Sequence, residues 1–253
     1  MRVYLDFNIY ASIEAGEFTI ESVLEKLNTQ EVVNVFYSAA HIYETDNITA
    51  PCEEIRKVRI LKRLDTIKMI TNNMYLFHEL PSNNVRLLNE NPIEVYNTIT
   101  KSIDVKSVFN SFMNIVFNDQ KIELRRMLGI DARFINNYRP EDVVGHLNTK
   151  ISGWGISFVE MIEHGITLHP DGKSFGLHNR IAGIFELLDM FGYWTDKYTY
   201  KSNVARLWDF NHCYFASFCD DFISNDKRTR NKAKVVYNLY DIATKVMSSA
   251  GDE

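Results

Sequence analysis

The sequence predicts an α/β protein: a three-layer α/β/α sandwich with a central parallel sheet, plus a mostly helical insertion. Three observations support this prediction. Short β-branched and aromatic runs are typical of buried strands, and segments with helical apolar spacing separate them. Acidic or hydroxyl residues stand where several of these runs end. Because strands alternate with helices, a parallel sheet with helices on both faces is favoured.

The amino-terminal part has a β-α-β pattern. Residues 3–5 predict a buried strand that stops at Asp6, and a helix is expected after it. Apolar residues recur at helical spacing over 20–27, and residues 32–37 predict a second strand that ends at Ser38.

A longer amphipathic helix is predicted next. Apolar residues recur at intervals of three over 55–67, and Asn72 and Asn73 end the pattern before a third strand at 74–77. Basic residues between the apolar positions predict a basic outer face: Arg56, Lys57, Arg59, Lys62 and Arg63.

The rest of the chain is predicted to be mostly helical until a last strand. Helical spacing marks residues 108–116, 181–191 and 204–216, and the composition of 169–172 predicts a turn. Residues 221–224 predict a strand, and 232–246 a closing helix. We therefore expect residues 1–253 to form a single domain, with a core at 1–88 and 200–247 and a helical insertion at about 89–199.

The composition is that of an ordered globular protein, with 45% hydrophobic and 24% charged residues. The net charge of −5 excludes a basic nucleic-acid coat, so any site for a polyanion must be a local patch. Three cysteines without CxxC spacing argue against a disulfide framework or a zinc site. No leader pattern or long apolar run is visible, and a cytoplasmic protein without a membrane partner is expected.

Four acids are the candidate functional residues. In open α/β sheets, ligands bind outside the carboxyl ends of the strands. Asp6 ends the first predicted strand, and Asp226 follows the last one in the same relation. Glu44 lies six residues after Ser38, and Asp209 is predicted to start the helix before the last strand. If these acids converge, they cannot all stay ionised without a cation, and ligands that offer only oxygen favour Mg²⁺ or Mn²⁺.

These residues resemble the PIN-domain nuclease family over roughly residues 1–85 and 200–247. The resemblance departs in the middle, because compact members of the family have a much shorter segment between the acids that correspond to Glu44 and Asp209. The early elements are Leu5-Asp6-Phe7-Asn8-Ile9 and Ser38-x5-Glu44. The late elements are Asp209-x2-His212-x3-Ala216-x2-Cys219-Asp220 and Phe222-Ile223-Ser224-Asn225-Asp226-Lys227.

The resemblance implies hydrolysis of phosphodiester bonds, usually in single-stranded RNA, by water that bound Mg²⁺ or Mn²⁺ activates. Asp6 and Asp226 would bind the metal directly, and Glu44 and Asp209 directly or through water. Asn8 and Ser38 would orient carboxylates or waters. His212, one helical turn after Asp209, is expected beside them, either as a substrate contact or hydrogen-bonded to a helix neighbour.

Basic residues crowd behind Asp226 and are expected to contact RNA phosphates: Lys227, Arg228, Arg230, Lys232 and Lys234. Two alternatives stay open at the sequence level. The same site could act on single-stranded or branched DNA, or the chain could be a non-catalytic PIN-like scaffold that binds a protein partner and no metal. By analogy with the family, a homodimer and a regulatory protein partner, as in toxin–antitoxin or phage-defence systems, are further expectations.

Overall fold

A six-stranded sheet runs through the computed structural model, which describes residues 1–79, 84–102, 118–168, 172–195 and 200–252. The strands lie in the order β4-β3-β2-β1-β5-β6, and all pair in parallel except β4, which is antiparallel to β3. The chain builds the sheet outward from β1 to β4 on one side, then adds β5 and β6 on the other. The side of β1 that pairs with β5 is therefore the topological switch point of the sheet. The strands are β1 (Arg2–Leu5), β2 (Asn34–Ser38), β3 (Met74–Glu79), β4 (Asn84–Asn89), β5 (Asp221–Ile223) and β6 (Lys245–Met247).

Helices make up most of the remaining described chain. Before β4 these are α1 (Phe7–Glu14), α2 (Ile20–Leu24), α3 (Ala39–Asp46) and α4 (Glu53–Thr71). Between β4 and β5 they are α5 (Pro92–Ser102), α6 (Asn118–Met127), α7 (Ala132–Ile135), α8 (Pro140–Ile151), α9 (Phe158–Thr167), α10 (Gly176–Phe191) and α11 (Tyr200–Ala216). The last helix, α12 (Lys227–Leu239), connects β5 to β6.

The pleat of the sheet separates two apolar cores. In β1, Val3 and Leu5 belong to a core shared with α1, α2 and α4, whereas Tyr4 belongs to a core shared with α8 to α12. This alternation follows from the period of two in a strand, which points successive side chains to opposite faces. Helices thus cover both faces of a mostly parallel sheet, and the α/β class predicted from the sequence is confirmed.

The segment predicted as a helical insertion contributes to one of these cores. Leu147 of α8, Phe158 of α9 and Leu188 of α10 are fully buried in the same cluster as Tyr4 and Phe36 of the sheet. The described helices α8 to α10 therefore share the core on this face of the sheet. They pack mainly against α11 and α12, and α11 in turn packs on β1 and β5.

Two strands were missed in the sequence prediction. Residues 84–89 form β4, and the predicted closing helix at 232–246 is wrong at its end. The helix α12 stops at Leu239, Asp241 adopts a left-handed turn with φ of 51°, and the chain enters β6. Both strands lie at sheet edges, where β4 is largely exposed and mixes polar with apolar residues, and β6 has only three residues, so neither gives a clear periodic signal. The helix expected at 108–116 and residues 169–171 of the expected turn lie outside the described residues.

The amphipathic pattern predicted for α4 is also partly wrong. Ile60, Leu64 and Ile67 are buried, whereas Val58 and Leu61 are 66% and 50% exposed. An α-helix has 3.6 residues per turn, so apolar residues at strict intervals of three drift around the helix and cannot share one face.

The basic outer face expected on α4 is interrupted for a different reason. Arg63 is only 6% exposed and holds Glu14 of α1 with two hydrogen bonds, of 2.5 and 3.1 Å. Arg56 is half-buried and bonds the carboxylate of Asp46 at 3.0 Å. These two guanidinium groups tie α4 to its neighbours.

In the described ranges, no helix has both the length and the apolar character that crossing a membrane requires.

Candidate functional site

The site lies where the carboxyl ends of β2, β1 and β5 meet. These strands are parallel neighbours, so Ser38, Asp6 and Ser224, which end or follow them, reach the same edge of the sheet. This is the edge at which open α/β sheets bind ligands, beside the switch point of the topology.

The carboxylate of Asp6 accepts three hydrogen bonds. Its Oδ1 accepts a hydrogen bond of 2.7 Å from the backbone N–H of Phe7 and so caps α1. Its Oδ2 accepts two more, both of 2.5 Å, from Asn8 Nδ2 and Ser224 Oγ. With only 4% of Asp6 exposed, these donors fix the direction of the carboxylate.

Asn8 and Ser224 also tie β1 to the loop after β5. The backbone N–H of Asn225 donates to Asn8 Oδ1 at 3.0 Å, and that of Asp226 donates to Ser224 Oγ at 3.1 Å. The sequence pointed to Asn8 as an orienting residue, and the structure places its amide on Asp6. Ser224 was missed, although its position directly after β5, equivalent to that of Asp6 after β1, was a usable signal.

Asp226 begins the last helix. Its Oδ1 accepts from the backbone N–H groups of Arg228 and Thr229, at 2.7 and 3.3 Å, and so caps α12. Capping and metal binding are compatible here, because a carboxylate offers two oxygens with about four acceptor positions.

Glu44 and His212 bring two more helices to the same place. Glu44 Oε2 of α3 and His212 Nε2 of α11 are 2.7 Å apart, and the same nitrogen is 3.9 Å from Asp6 Oδ1. One ligand atom from each of Asp6, Glu44 and His212 lies within 4.8 Å of the other two, a spacing that a single metal ion can span.

Asp209 precedes His212 by three residues in α11. The prediction that it starts this helix is wrong, because α11 runs from Tyr200 to Ala216 and places Asp209 in its second half. The shift matters for the site, since a residue three positions away on a helix lies on the same face. Asp209 and His212 therefore approach the cluster together.

Burial and the neighbouring negative charges disfavour ionisation of two acids of the site, Asp209 and Glu44. Burial raises the pKa of Asp209 well above its usual value, and the negative charges of Asp6, Asp226 and Glu44 raise it further, while Lys232 opposes them. Burial likewise raises the pKa of Glu44, although the hydrogen bond with His212 opposes that shift. A divalent cation would relieve this repulsion, so the donor set fits such an ion.

A buried network lies behind His212. The hydroxyl of Tyr4 is 2.9 Å from His212 Nδ1, 2.6 Å from Ser38 Oγ and 3.4 Å from His41 Nδ1. His41 Nδ1 accepts from the Ser38 backbone N–H at 3.1 Å, and its Nε2 pairs with the carbonyl of Leu5 at 2.7 Å. Burial, followed by the nearby His212, lowers the pKa of His41, which favours its neutral form.

This network changes the interpretation of Ser38. The sequence indicated that Ser38 orients carboxylates or waters, but its Oγ instead caps α3 through Ala40 N–H and pairs with Tyr4. Ser38 is connected to the acids through Tyr4 and His212. No local pattern pointed to Tyr4, whereas His41 at the third helical position after Ser38 matched a helix-capping position.

The basic residues after Asp226 are divided by the structure. Lys227 and Arg228 are exposed at the start of α12, and the Lys227 ammonium lies 5.1 Å from the ring centroid of Trp194. The guanidinium of Arg230 bonds the carbonyl of Ser224 at 2.7 Å.

Of the other two basic residues, Lys232 is the one that the fold removes from the surface. It is only 1% exposed, with its ammonium 5.8 Å from the Phe185 ring centroid and its charge acting on Asp209. Lys234 lies one helical turn after Arg230, both residues act on the charge of Asp252, and Lys234 also lines an open groove with Arg139 and Lys245, the first residue of β6. The helical period of α12 therefore turns Lys232 inward and leaves Lys227, Arg230 and Lys234 on a shared side.

No known family model matches this sequence, and comparisons with curated proteins and with solved structures found no match.

Proposed function

We propose that this chain is a PIN-like, divalent-metal-dependent nuclease, and specifically an endoribonuclease that hydrolyses single-stranded RNA. The proposal rests on one observation: ligand atoms of Asp6, Glu44 and His212 lie within 4.8 Å of one another at the switch-point edge, and the charges of Asp6, Asp226 and Glu44 help to raise the pKa of Asp209 beside them. Helix capping accounts for Asp6 and Asp226 singly, but it does not require these four carboxylates to converge. The helices on both faces of the sheet agree with the three-layer α/β/α sandwich that the PIN-like resemblance implies.

The four acids would hold Mg²⁺ or Mn²⁺. A divalent cation supplies Lewis acidity, which lowers the pKa of water and stabilises the charge that develops on a phosphodiester. Asn8 and Ser224 hold Oδ2 of Asp6, so that Oδ1 faces His212 and Glu44. These hydrogen bonds orient the Asp6 carboxylate before a ligand binds, so that less side-chain conformational entropy is lost on binding.

Lys227 and Arg228 are the best candidates for contacts with the nucleic-acid backbone. Both are exposed and follow Asp226 directly. A chain with a net charge of −5 needs a local positive group to attract a polyanion to an acidic site. Lys232, buried beside Asp209, instead offsets part of the negative charge of the carboxylates.

The test is cleavage of end-labelled single-stranded RNA, single-stranded DNA and branched DNA by purified protein in Mn²⁺, Mg²⁺ or EDTA. Asp6→Asn and Asp226→Asn are informative variants, because asparagine also caps helices and so keeps α1 and α12 intact. Asp131→Asn is the matched control, since Asp131 also caps a helix, α7, and its side-chain hydrogen bonds go to Arg133 and not to the site. We expect metal-dependent RNA cleavage that both site variants lose and the control keeps.

The outcomes separate the alternatives. Cleavage restricted to DNA would keep the nuclease site and change the substrate. If the wild type cuts no substrate and calorimetry finds no bound Mn²⁺, the nuclease proposal fails and a non-catalytic scaffold that binds a protein partner becomes the better explanation. In that case Asp6→Asn should leave partner binding intact.

A further inference from the structure

We infer that His212 Nε2 is itself a ligand of the cation, which makes the site a mixed carboxylate–imidazole site that selects Mn²⁺ over Mg²⁺. This inference rests on the proposed function, because it concerns the same metal site.

The geometry places the imidazole inside the acid cluster. His212 is fully buried, and Nε2 lies 2.7 Å from Glu44 Oε2 and 3.9 Å from Asp6 Oδ1. A cation held by these two oxygens would therefore lie within reach of the nitrogen, since the three ligand atoms are within 4.8 Å of one another. Tyr4 on the opposite side of the ring keeps Nε2 facing the acids.

The opposite side of the ring has the partner that a metal-binding histidine needs. Such histidines usually donate their second ring N–H to a fixed acceptor, which sets the tautomer and the ring orientation. Here the Tyr4 oxygen is 2.9 Å from Nδ1, and Ser38 Oγ holds the same hydroxyl at 2.6 Å. Burial of Tyr4 and Ser38 excludes solvent from this side of the ring.

The Tyr4 hydroxyl can accept a hydrogen bond from the ring and still bond Ser38, because a phenol hydroxyl both donates and accepts. With the cation on Nε2, the ring hydrogen would be on Nδ1 and would donate to the Tyr4 oxygen, while the Tyr4 hydroxyl would donate to Ser38 Oγ. Nε2 would then carry no hydrogen, and its lone pair would bind the cation.

The neighbouring His41 shows why the inference concerns His212 alone. The two rings are 4.7 Å apart, but the nitrogens of His41 are occupied by the Ser38 N–H and the Leu5 carbonyl. Both partners are backbone groups within the fold and cannot be replaced by a metal without leaving them unpaired.

Metal selectivity follows from the donor types. Mg²⁺ prefers oxygen ligands and near-ideal octahedral geometry, whereas imidazole nitrogen suits first-row transition metals. Replacing one oxygen position of an acidic site by imidazole should therefore favour Mn²⁺ over Mg²⁺.

The test is pulsed electron paramagnetic resonance of Mn²⁺ bound to the full, metal-depleted chain. A nitrogen ligand produces a ¹⁴N modulation, which must change to the ¹⁵N pattern in protein grown with ¹⁵N-histidine. In parallel, His212→Gln should weaken Mn²⁺ binding by about tenfold or more, while Mg²⁺ binding changes much less. Tyr4→Phe should weaken Mn²⁺ binding in the same direction.

The outcomes distinguish this inference from the proposed function. Bound Mn²⁺ without a histidine nitrogen signal would overturn the inference and leave the nuclease proposal standing. If the wild type binds no Mn²⁺, the inference fails, and if it also cleaves no substrate in either metal, the proposed function fails with it. If His212→Gln does not fold, the isotope comparison on the wild-type chain still decides between these results.

Discussion

At the scale of single residues, burial and the negative charges around Asp209 raise the pKa of its carboxyl group. A raised pKa means that the folded protein binds this proton more tightly than the unfolded chain does. The resulting contribution to stability is complete at low pH and is lost as the pH rises through the folded pKa. Glu44, whose pKa is also raised, acts in the same direction.

We therefore predict that, in EDTA, the Asp209 carboxyl lowers the free energy of unfolding of the metal-free protein at about pH 8 relative to about pH 5, whereas the buried His41 and His178, whose pKa values are lowered, act in the opposite direction over the same interval. Asp209→Asn should remove the contribution of Asp209, and its free energy of unfolding should fall less, or rise more, than that of the wild type between the two pH values, because asparagine does not titrate. Urea denaturation at both pH values measures it. Asp131→Asn is the control: the pKa of Asp131 is lowered to about 2, so this group is ionised throughout the interval. An unchanged pH dependence in Asp209→Asn would contradict the prediction.

Two buried tyrosines provide a matched pair at the same scale. The hydroxyl of Tyr4 contacts Ser38 and His212, whereas that of Tyr10 has no hydrogen-bond partner among the described residues. Tyr4→Phe should lower the free energy of unfolding by about 1–3 kcal/mol, because polar partners are left unpaired. Tyr10→Phe should have little effect or a stabilising one. Equal losses in the two variants, by urea denaturation, would argue against the network.

At the scale of elements, α1 and α4 are joined by one ion pair. Arg63 and Glu14 meet through two hydrogen bonds, and the guanidinium carbon lies 4.3 Å from the Phe7 ring centroid. Both side chains are largely buried, at 7% and 14% exposure. Because Asp6 caps α1, this pair also helps to hold the helix that begins at the site.

Removing one partner of this pair should be costly. Glu14→Gln leaves the Arg63 charge uncompensated, and we expect a loss of about 3 kcal/mol in the free energy of unfolding. The control is Glu123→Gln, which breaks an exposed pair with Arg126 on α6 and should cause no measurable change. Chemical denaturation of the three proteins measures both effects, and equal stability of Glu14→Gln and wild type would refute the prediction.

At the scale of the whole molecule, helices from the middle of the chain share a core with the sheet. Leu188 of α10 lies in the same buried cluster as Tyr4 and Phe36. The described helices α8 to α10 should therefore unfold together with the sheet, in one cooperative transition.

Leu188→Ala tests this cooperativity. We expect a loss of about 2–5 kcal/mol, with far-UV circular dichroism and tryptophan fluorescence shifting to the same lower denaturant midpoint. Trp194 and Trp208 report on the middle and the late part of the chain. Leu168→Ala, at a residue that is 87% exposed, is the control and should change little. Separate midpoints for the two signals would show that the middle segment unfolds independently.

The sequence by itself determined much of the fold. Several elements were predicted at the positions where the structure has them: strands β1, β2, β3 and β5 and helices α1, α4, α10 and α11. The spacing of apolar residues and the residues that end a strand or helix are local properties of the sequence, so they can be recognised without the fold. The edge strands β4 and β6 were missed, since β4 is largely exposed and mixes polar with apolar residues and β6 has only three residues. The positions of Asp6 and Asp226 were predictable for the same local reason: each follows a buried strand.

Only the tertiary structure decided how the site is assembled. The contact between Tyr4 and His212 joins residues 208 positions apart, and that between Ser224 and Asp6 joins residues 218 positions apart. Likewise, Lys232 looked like a surface charge in the sequence and is buried beside Asp209. Local spacing assigns a residue to an element and a face, but hydrogen bonds, burial and charge coupling depend on which elements pack together. In this chain that packing is set by the order of the strands around β1 and by the helices on both faces of the sheet.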